Sequence, residues 1–199
     1  MNPFDVMRRT LCAALLASLV ACSAGGPEFQ SSDITGASFG RDFELNDPQG
    51  KPRRLADFRG KAVVVFFGYT QCPDVCPTTL AALADAMKRL GADADRVQVL
   101  FITVDPERDT PALLAQYVPA FDPRFLGLYG DADATARTAK EFRILYQKVP
   151  GATAANYTMD HSAGTYIYDP QGRLRLYVSN GQGPDVFAHD LRELLVAPG

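Results

Sequence analysis

Six consecutive apolar residues, Ala62-Val63-Val64-Val65-Phe66-Phe67, constrain this chain more than any other feature. Valine and phenylalanine favour extended backbone, and a run without polar alternation leaves neither face of the strand for water. Such a strand belongs inside a sheet covered on both sides. Val97 to Val104 has the same character and predicts a second buried strand. Between them, Pro77 to Leu90 places Leu80, Leu83, Ala84, Met87 and Leu90 on one helical stripe, with Pro77 in the first turn. Thr110, followed by Pro111, is an N-cap for a helix with apolar face Leu113, Leu114, Tyr117 and Val118. A short strand at Phe125 to Tyr129 precedes a helix capped by Asp131 and running to about Phe142. Thr165 to Asp169 and Leu174 to Val178 flank the turn Pro170-Gln171-Gly172-Arg173, and a last helix covers Pro184 to Leu195. Upstream, Phe39 to Asn46 has hairpin character, turning at Asp47-Pro48-Gln49-Gly50. This order predicts an α/β fold, a mixed sheet with helices on both faces and an N-terminal β-hairpin.

The N-terminus reads as an address. Arg8 and Arg9 precede an apolar run from Leu11 to Val20, which ends in Leu19-Val20-Ala21-Cys22. A basic start, a short apolar stretch and small residues at a cut site describe an export signal over residues 1–21. The run is too short to span a hydrocarbon layer of ~30 Å. Its ending resembles the bacterial lipobox, which implies cleavage before Cys22 and a lipid anchor on its thiol. Residues 22–38 then read as anchor and flexible tether, and residues 39–199 as one domain without internal repeat.

Composition narrows the function. The 199 residues carry a net charge of −3 and are 47% hydrophobic, ample for a core and unlike a disordered chain. A basic nucleic-acid face has no support in that balance. Four cysteines are too few for a disulfide scaffold. Cys12 leaves with the signal and Cys22 carries lipid, so the domain keeps Cys72, Cys76, His161 and His189.

Gly68-Tyr69-Thr70-Gln71-Cys72-Pro73-Asp74-Val75-Cys76-Pro77 joins the first buried strand to its helix, where ligand crevices of open α/β sheets form. A spacing of four puts both sulfurs on one side of the first turn, close enough to share a metal or to close a disulfide. Cys76 sits at or next to the helix N-cap, where the dipole is expected to lower its pKa. A disulfide over so short a loop constrains the unfolded chain little, which argues for function over stapling. His189 lies two positions past Phe187 on an apolar stripe, about 200° around the helix, and points to solvent. His161 stands in the polar segment Tyr157-Thr158-Met159-Asp160-His161-Ser162 with no periodicity to account for it. Two thiols and one imidazole are one ligand short of structural zinc and suit copper better, with a catalytic zinc that keeps an open position as the alternative. On residue chemistry, metal binding and thiol redox remain nearly balanced.

Three ordered motifs then resemble the Sco/SenC family: Phe66 to Pro77, Val104-Asp105-Pro106-Glu107-Arg108-Asp109-Thr110-Pro111, and Asp160-His161-Ser162. The resemblance runs from about Phe43 to the C-terminus. It implies a thioredoxin-like fold, with Cys72, Cys76 and His161 binding one copper, Cu(I) or Cu(II), and Cys72 and Cys76 as a redox pair. It also implies an exported protein that assists assembly of the CuA site of cytochrome c oxidase subunit II, by copper delivery or by reduction of that subunit's cysteines. The partners implied are that subunit or another periplasmic cuproprotein, and an upstream copper donor. The location implied is the bacterial cell envelope, lipid-anchored and facing the periplasm, with the inner membrane favoured.

The competing expectation is a periplasmic thiol–disulfide oxidoreductase. Thioredoxin-type enzymes place two residues between their cysteines, whereas three separate Cys72 from Cys76. They also carry a proline before the strand beside the site, and His161 occupies that stretch here. Asp105 and Asp109 read either as outer groups around the site or as turn and capping residues. Either Asp160 orients the His161 ring or, since neighbours in an extended segment point to opposite faces, a backbone carbonyl does so instead.

Overall fold

The computed structural model describes residues 26–152 and 156–197, so the expected signal segment and Cys22 lie outside the described residues. Its strands are β1 (Ser32–Asp33), β2 (Leu45–Asn46), β3 (Pro52–Arg53), β4 (Ala62–Gly68), β5 (Val97–Thr103), β6 (Leu126–Leu128), β7 (Tyr146–Pro150), β8 (Tyr157–His161), β9 (Thr165–Tyr168) and β10 (Leu174–Val178). The α-helices are α1 (Val75–Leu90), α2 (Pro111–Tyr117), α3 (Ala132–Glu141) and α4 (Pro184–Val196).

Six strands form one sheet in the order β1-β10-β9-β4-β5-β6. β4 runs parallel to β5 and antiparallel to β9, and β5 runs parallel to β6. The apolar run therefore lies in the centre, and every residue of β4 is buried. Alternation sends Phe66 and its neighbour Phe101 to one face. Phe67 goes to the other, where Phe142 meets Phe43, Phe67, Tyr166 and Tyr168. α1 buries Leu80, Leu83, Ala84, Met87 and Leu90 and packs on α4, which buries Phe187, Leu191, Leu194 and Leu195.

The capping expectations hold. Thr110 Oγ1 accepts the Leu113 N–H and Asp131 Oδ1 accepts that of Ala134. The expected N-terminal hairpin is reduced to β2 and β3, around a turn in which Asp47 Oδ1 accepts the N–H groups of Gln49 and Lys51. Helix α1 starts at Val75, two residues before the expected start. The first-turn N–H groups have no intrahelical partner, so Pro77 fits inside that turn as well as at its head.

Two elements differ more. The expected tether over residues 22–38 is docked from Gln30 onward. The buried Asp190 carboxylate accepts the Gln30 and Ser31 N–H groups, and β1 then adds to the sheet edge beside β10. A second hairpin, β7 with β8, stands outside the main sheet. Its strands are polar and short, and only Met159 among their residues is buried, so no hydrophobic alternation announces them.

Candidate metal and thiol site

Strand β4 ends at Gly68, and the chain turns through Tyr69–Asp74 into α1. Gly68 is required by close approach: a Cβ there would lie 2.7 Å from Cys76 Sγ and 2.8 Å from Phe101. Cys76 is the second residue of α1, and its thiol packs fully buried against the end of the sheet. The expected fall in its pKa is therefore overturned. Burial pushes the Cys76 thiol up, because loss of water costs a thiolate more than one helix end returns. The positive end of α1 serves the other sulfur. Half-buried Cys72 accepts the Cys76 backbone N–H at 3.4 Å, and both cysteines are free thiols.

The imidazole arrives from a different element. β7 and β8 pair with Tyr146 opposite His161 and Gln147 opposite Asp160. Period-two alternation turns Tyr157, Met159 and His161 inward, while Thr158 and Asp160 stay exposed. His161 Nε2 lies 3.5 Å from Cys76 Sγ, and Nδ1 lies 3.0 Å from the Ser162 carbonyl. With the Nδ1–H donating to that carbonyl, the Nε2 lone pair faces the sulfurs. Burial lowers the His161 pKa, because loss of water disfavours the charged ring. Tyr69, itself buried, meets the ring edge-on at 5.9 Å between centroids.

The ligating atoms of Cys72, Cys76 and His161 lie within 4.8 Å of one another. Among the described residues, this is the one cluster of three such groups. His189 is elsewhere, its Nδ1 3.0 Å from Asp190 Oδ1 and its side chain 38% exposed.

A family model described as SCO1/SenC matches residues 31–196. The chain belongs to the SCO1/SenC family. It is 39% identical over 158 residues to the mouse mitochondrial protein SCO2 homolog, covering 78% of this chain and 62% of that protein. The chain thus spans about three fifths of the length of such curated relatives. Among solved structures, Bradyrhizobium japonicum ScoI with copper bound superposes with a TM-score of 0.73 at 41% identity. That match covers 79% of this chain and 100% of ScoI. Yeast Sco1 with copper bound gives 0.72 at 31% identity, covering 79% and 88%. The mixed sheet flanked by helices is the thioredoxin-like fold of these Sco proteins.

In this SCO1/SenC domain neither Asp105 nor Asp109 hydrogen-bonds a sulfur or the imidazole. Asp109 accepts the Thr70 N–H at 3.1 Å and hydroxyls from Thr70 and Thr103, each at 2.6 Å. It ties the start of the cysteine loop to the end of β5, and burial raises its pKa. Asp105, 3% exposed, pairs with Arg108 and accepts the Tyr157 hydroxyl at 2.8 Å. Asp160 is exposed and leaves the ring to the Ser162 carbonyl, as alternation requires.

Sequence reasoning missed Gly68, Tyr69, Tyr157 and Arg108. Arg108 Nη1 donates to Gln71 Oε1 at 3.1 Å and to the Tyr157 carbonyl at 2.8 Å. Its guanidinium lies 3.5 Å from the Tyr157 ring centroid. All four stand in or beside the three family motifs, but their partners are far away in sequence. The one local signal was a glycine closing an otherwise bulky strand.

Proposed function

We propose that this protein is an exported copper chaperone that assists assembly of the CuA site of cytochrome c oxidase subunit II. Cys72 Sγ, Cys76 Sγ and His161 Nε2 would hold one copper per chain. The observation that carries this reading is the convergence of two free thiols and an imidazole nitrogen from separate elements. Thiolates select Cu(I), imidazole also accepts Cu(II), and so mixed a set suits an ion that changes oxidation state. Among the described residues the cluster has no fourth protein ligand, which argues against structural zinc. Copper-bound relatives at 41% and 31% identity support the choice of metal. Copper would come from an upstream donor and pass to subunit II or another periplasmic cuproprotein. The protein would act from the bacterial cell envelope, held by lipid on Cys22 and facing the periplasm, with the inner membrane favoured. No helix among the described residues is long and apolar enough to cross a membrane.

The test is titration of Cu(I) and Cu(II) into reduced, metal-free protein, with zinc as competitor. The expected result is one tight equivalent of copper that zinc does not displace. Binding of zinc in preference to copper would overturn the reading.

The asymmetry of the two sulfurs favours a second reading, reduction of the target's cysteines. Cys72 is reachable and Cys76 is buried behind it, the arrangement of an attacking and a resolving thiol. Cys72 thiolate would attack the target disulfide and Cys76 would displace the mixed disulfide. Two electrons and two protons pass to the target as the Cys72–Cys76 bond closes, and an external thiol must restore the pair. Rapid exchange of that disulfide against a test thiol, without tight copper, would select this reading.

A further inference from the structure

The two thiols and the imidazole belong to elements with separate supports, and one side chain touches both. Arg108 lies in the turn after β5, with its side chain 14% exposed. Toward the cysteine loop, its Nη1 donates to Gln71 Oε1, next to Cys72. Toward the β7–β8 hairpin, the same nitrogen donates to the Tyr157 carbonyl, and the guanidinium plane lies on the Tyr157 ring. Nε pairs with Asp105, whose other oxygen accepts the Tyr157 hydroxyl. Lys148 of β7 reaches the same turn through Glu107 at 2.7 Å, and its ammonium sits 3.9 Å from the Tyr157 ring centroid. The strand so held carries His161 four residues on from Tyr157.

Beyond these contacts the strand is held by the buried Met159 side chain, by the edge-on contact of His161 with Tyr69 and by its pairing with β7. Thr158 and Asp160 are exposed, and the hairpin's strands pair only with each other. A planar fork that bonds two carbonyl-type oxygens while stacking on an aromatic ring cannot be copied by an ammonium group.

We propose that Arg108 is a positioning residue that holds the hairpin, and with it His161, against the cysteine loop. It thereby sets the affinity of the site for Cu(II), which draws on the imidazole, relative to that for Cu(I), for which two thiolates suffice. This rests on the copper reading above. Arg108 touches none of the three ligating atoms and acts through His161.

The experiment is a double-mutant cycle on the full chain, with Cu(II) and Cu(I) affinities measured for the parent, Arg108→Ala, His161→Ala and the pair together. Arg108→Ala is expected to weaken Cu(II) by about tenfold, the scale for losing a partner that orients a ligand, and Cu(I) by less than about twofold. In the His161→Ala background the same change should cost nothing further. Arg108→Lys should recover only part of the Cu(II) affinity. Equal losses of Cu(II) and Cu(I), or a loss that persists without His161, would make Arg108 a general support of the fold and overturn the proposal. No loss in either background would overturn it too. Should Arg108→Ala not fold, Tyr157→Phe removes only the hydroxyl bond to Asp105 and enters the same cycle, with a smaller Cu(II)-selective loss expected. A parent that binds no copper would overturn the copper reading alone. Amide exchange in the metal-free protein then still decides whether Arg108 holds the hairpin: Met159 and His161 should exchange about tenfold faster in Arg108→Ala, with α1 unchanged. Unchanged exchange in β8 would remove that role.

Discussion

The cysteine loop and the β7–β8 hairpin meet at one site but are built in opposite ways. The loop hangs between the central strand and a helix packed against α4, and Cys76 has no exposure at all. Asp109 stitches its first residues to β5 with three hydrogen-bond donors. The hairpin lies outside the main sheet, is largely wet, and reaches the rest of the molecule through Met159, Tyr157 and the Arg108 turn. The Cys76 sulfur is therefore part of the core, the half-buried Cys72 sulfur packs against it, and the nitrogen is brought to them on an arm. Disturbing the core moves both thiols and costs stability, whereas disturbing the arm changes the site while the fold stands.

The largest expected effect falls on the core side of this comparison. Cys76→Ser should abolish tight binding of both Cu(I) and Cu(II), by more than about a hundredfold, beyond the cost of losing an outer partner. Wild-type affinity in a competition titration of that variant would break the proposed ligand set. His161→Ala tests the arm. Cu(II) affinity is expected to fall by about a hundredfold while Cu(I) binding and thiol exchange largely persist, since the thiols keep their own supports. A circular dichroism spectrum and melting curve close to the parent's would confirm that the arm is dispensable for the fold.

Gly68→Ala comes next. The added methyl would meet Cys76 Sγ and the Phe101 ring below normal contact distance, and overpacking of this kind costs about 1–3 kcal/mol. Denaturant unfolding should show that loss, together with weaker binding of both copper states. A change confined to Cu(II) would mean that the two regions are less separate than their packing indicates.

The smallest effect concerns the stitch itself. Burial raises the Asp109 pKa above its ordinary 3.8, so its contribution is present below that value and declines as pH rises through the folded-state pKa. Asp109→Asn removes the titration. The stability of the parent relative to the variant should accordingly be greatest near about pH 4 and smaller near about pH 7. Denaturation midpoints across that range check the sign, and a difference that grows with pH would contradict it.

Much of the loop side is legible in the order of residues alone. An apolar run, a turn with two cysteines and a helical stripe are local patterns, and each predicts its own element. Thr110 and Asp131 are recognisable as caps for the same reason, because a cap acts within three residues of itself. The arm is not legible in this way. Tyr146–Pro150 carries no apolar alternation, and Tyr157–His161 alternates only through Tyr157 and Met159, too short a pattern to announce a strand, with Met159 alone buried. The state of the Cys76 thiol is hidden for a related reason. Its place at the helix start is visible in the chain, but its burial against Gly68 and Phe101 is not.

Outside β1 and the β7–β8 hairpin, the sequence by itself determined the elements and their order and singled out the three chemical groups that converge, since periodicity, capping and motif spacing act over neighbouring residues. Tertiary structure decided that Gln30 to Asp33 join the domain through Asp190 and β10. It also decided that the Ser162 carbonyl, rather than Asp160, faces the ring nitrogen, and that one arginine ties the loop to the arm. Burial and hydrogen-bond geometry are set by residues far apart in the chain, and they exist only once the sheet, helix and hairpin have been brought together.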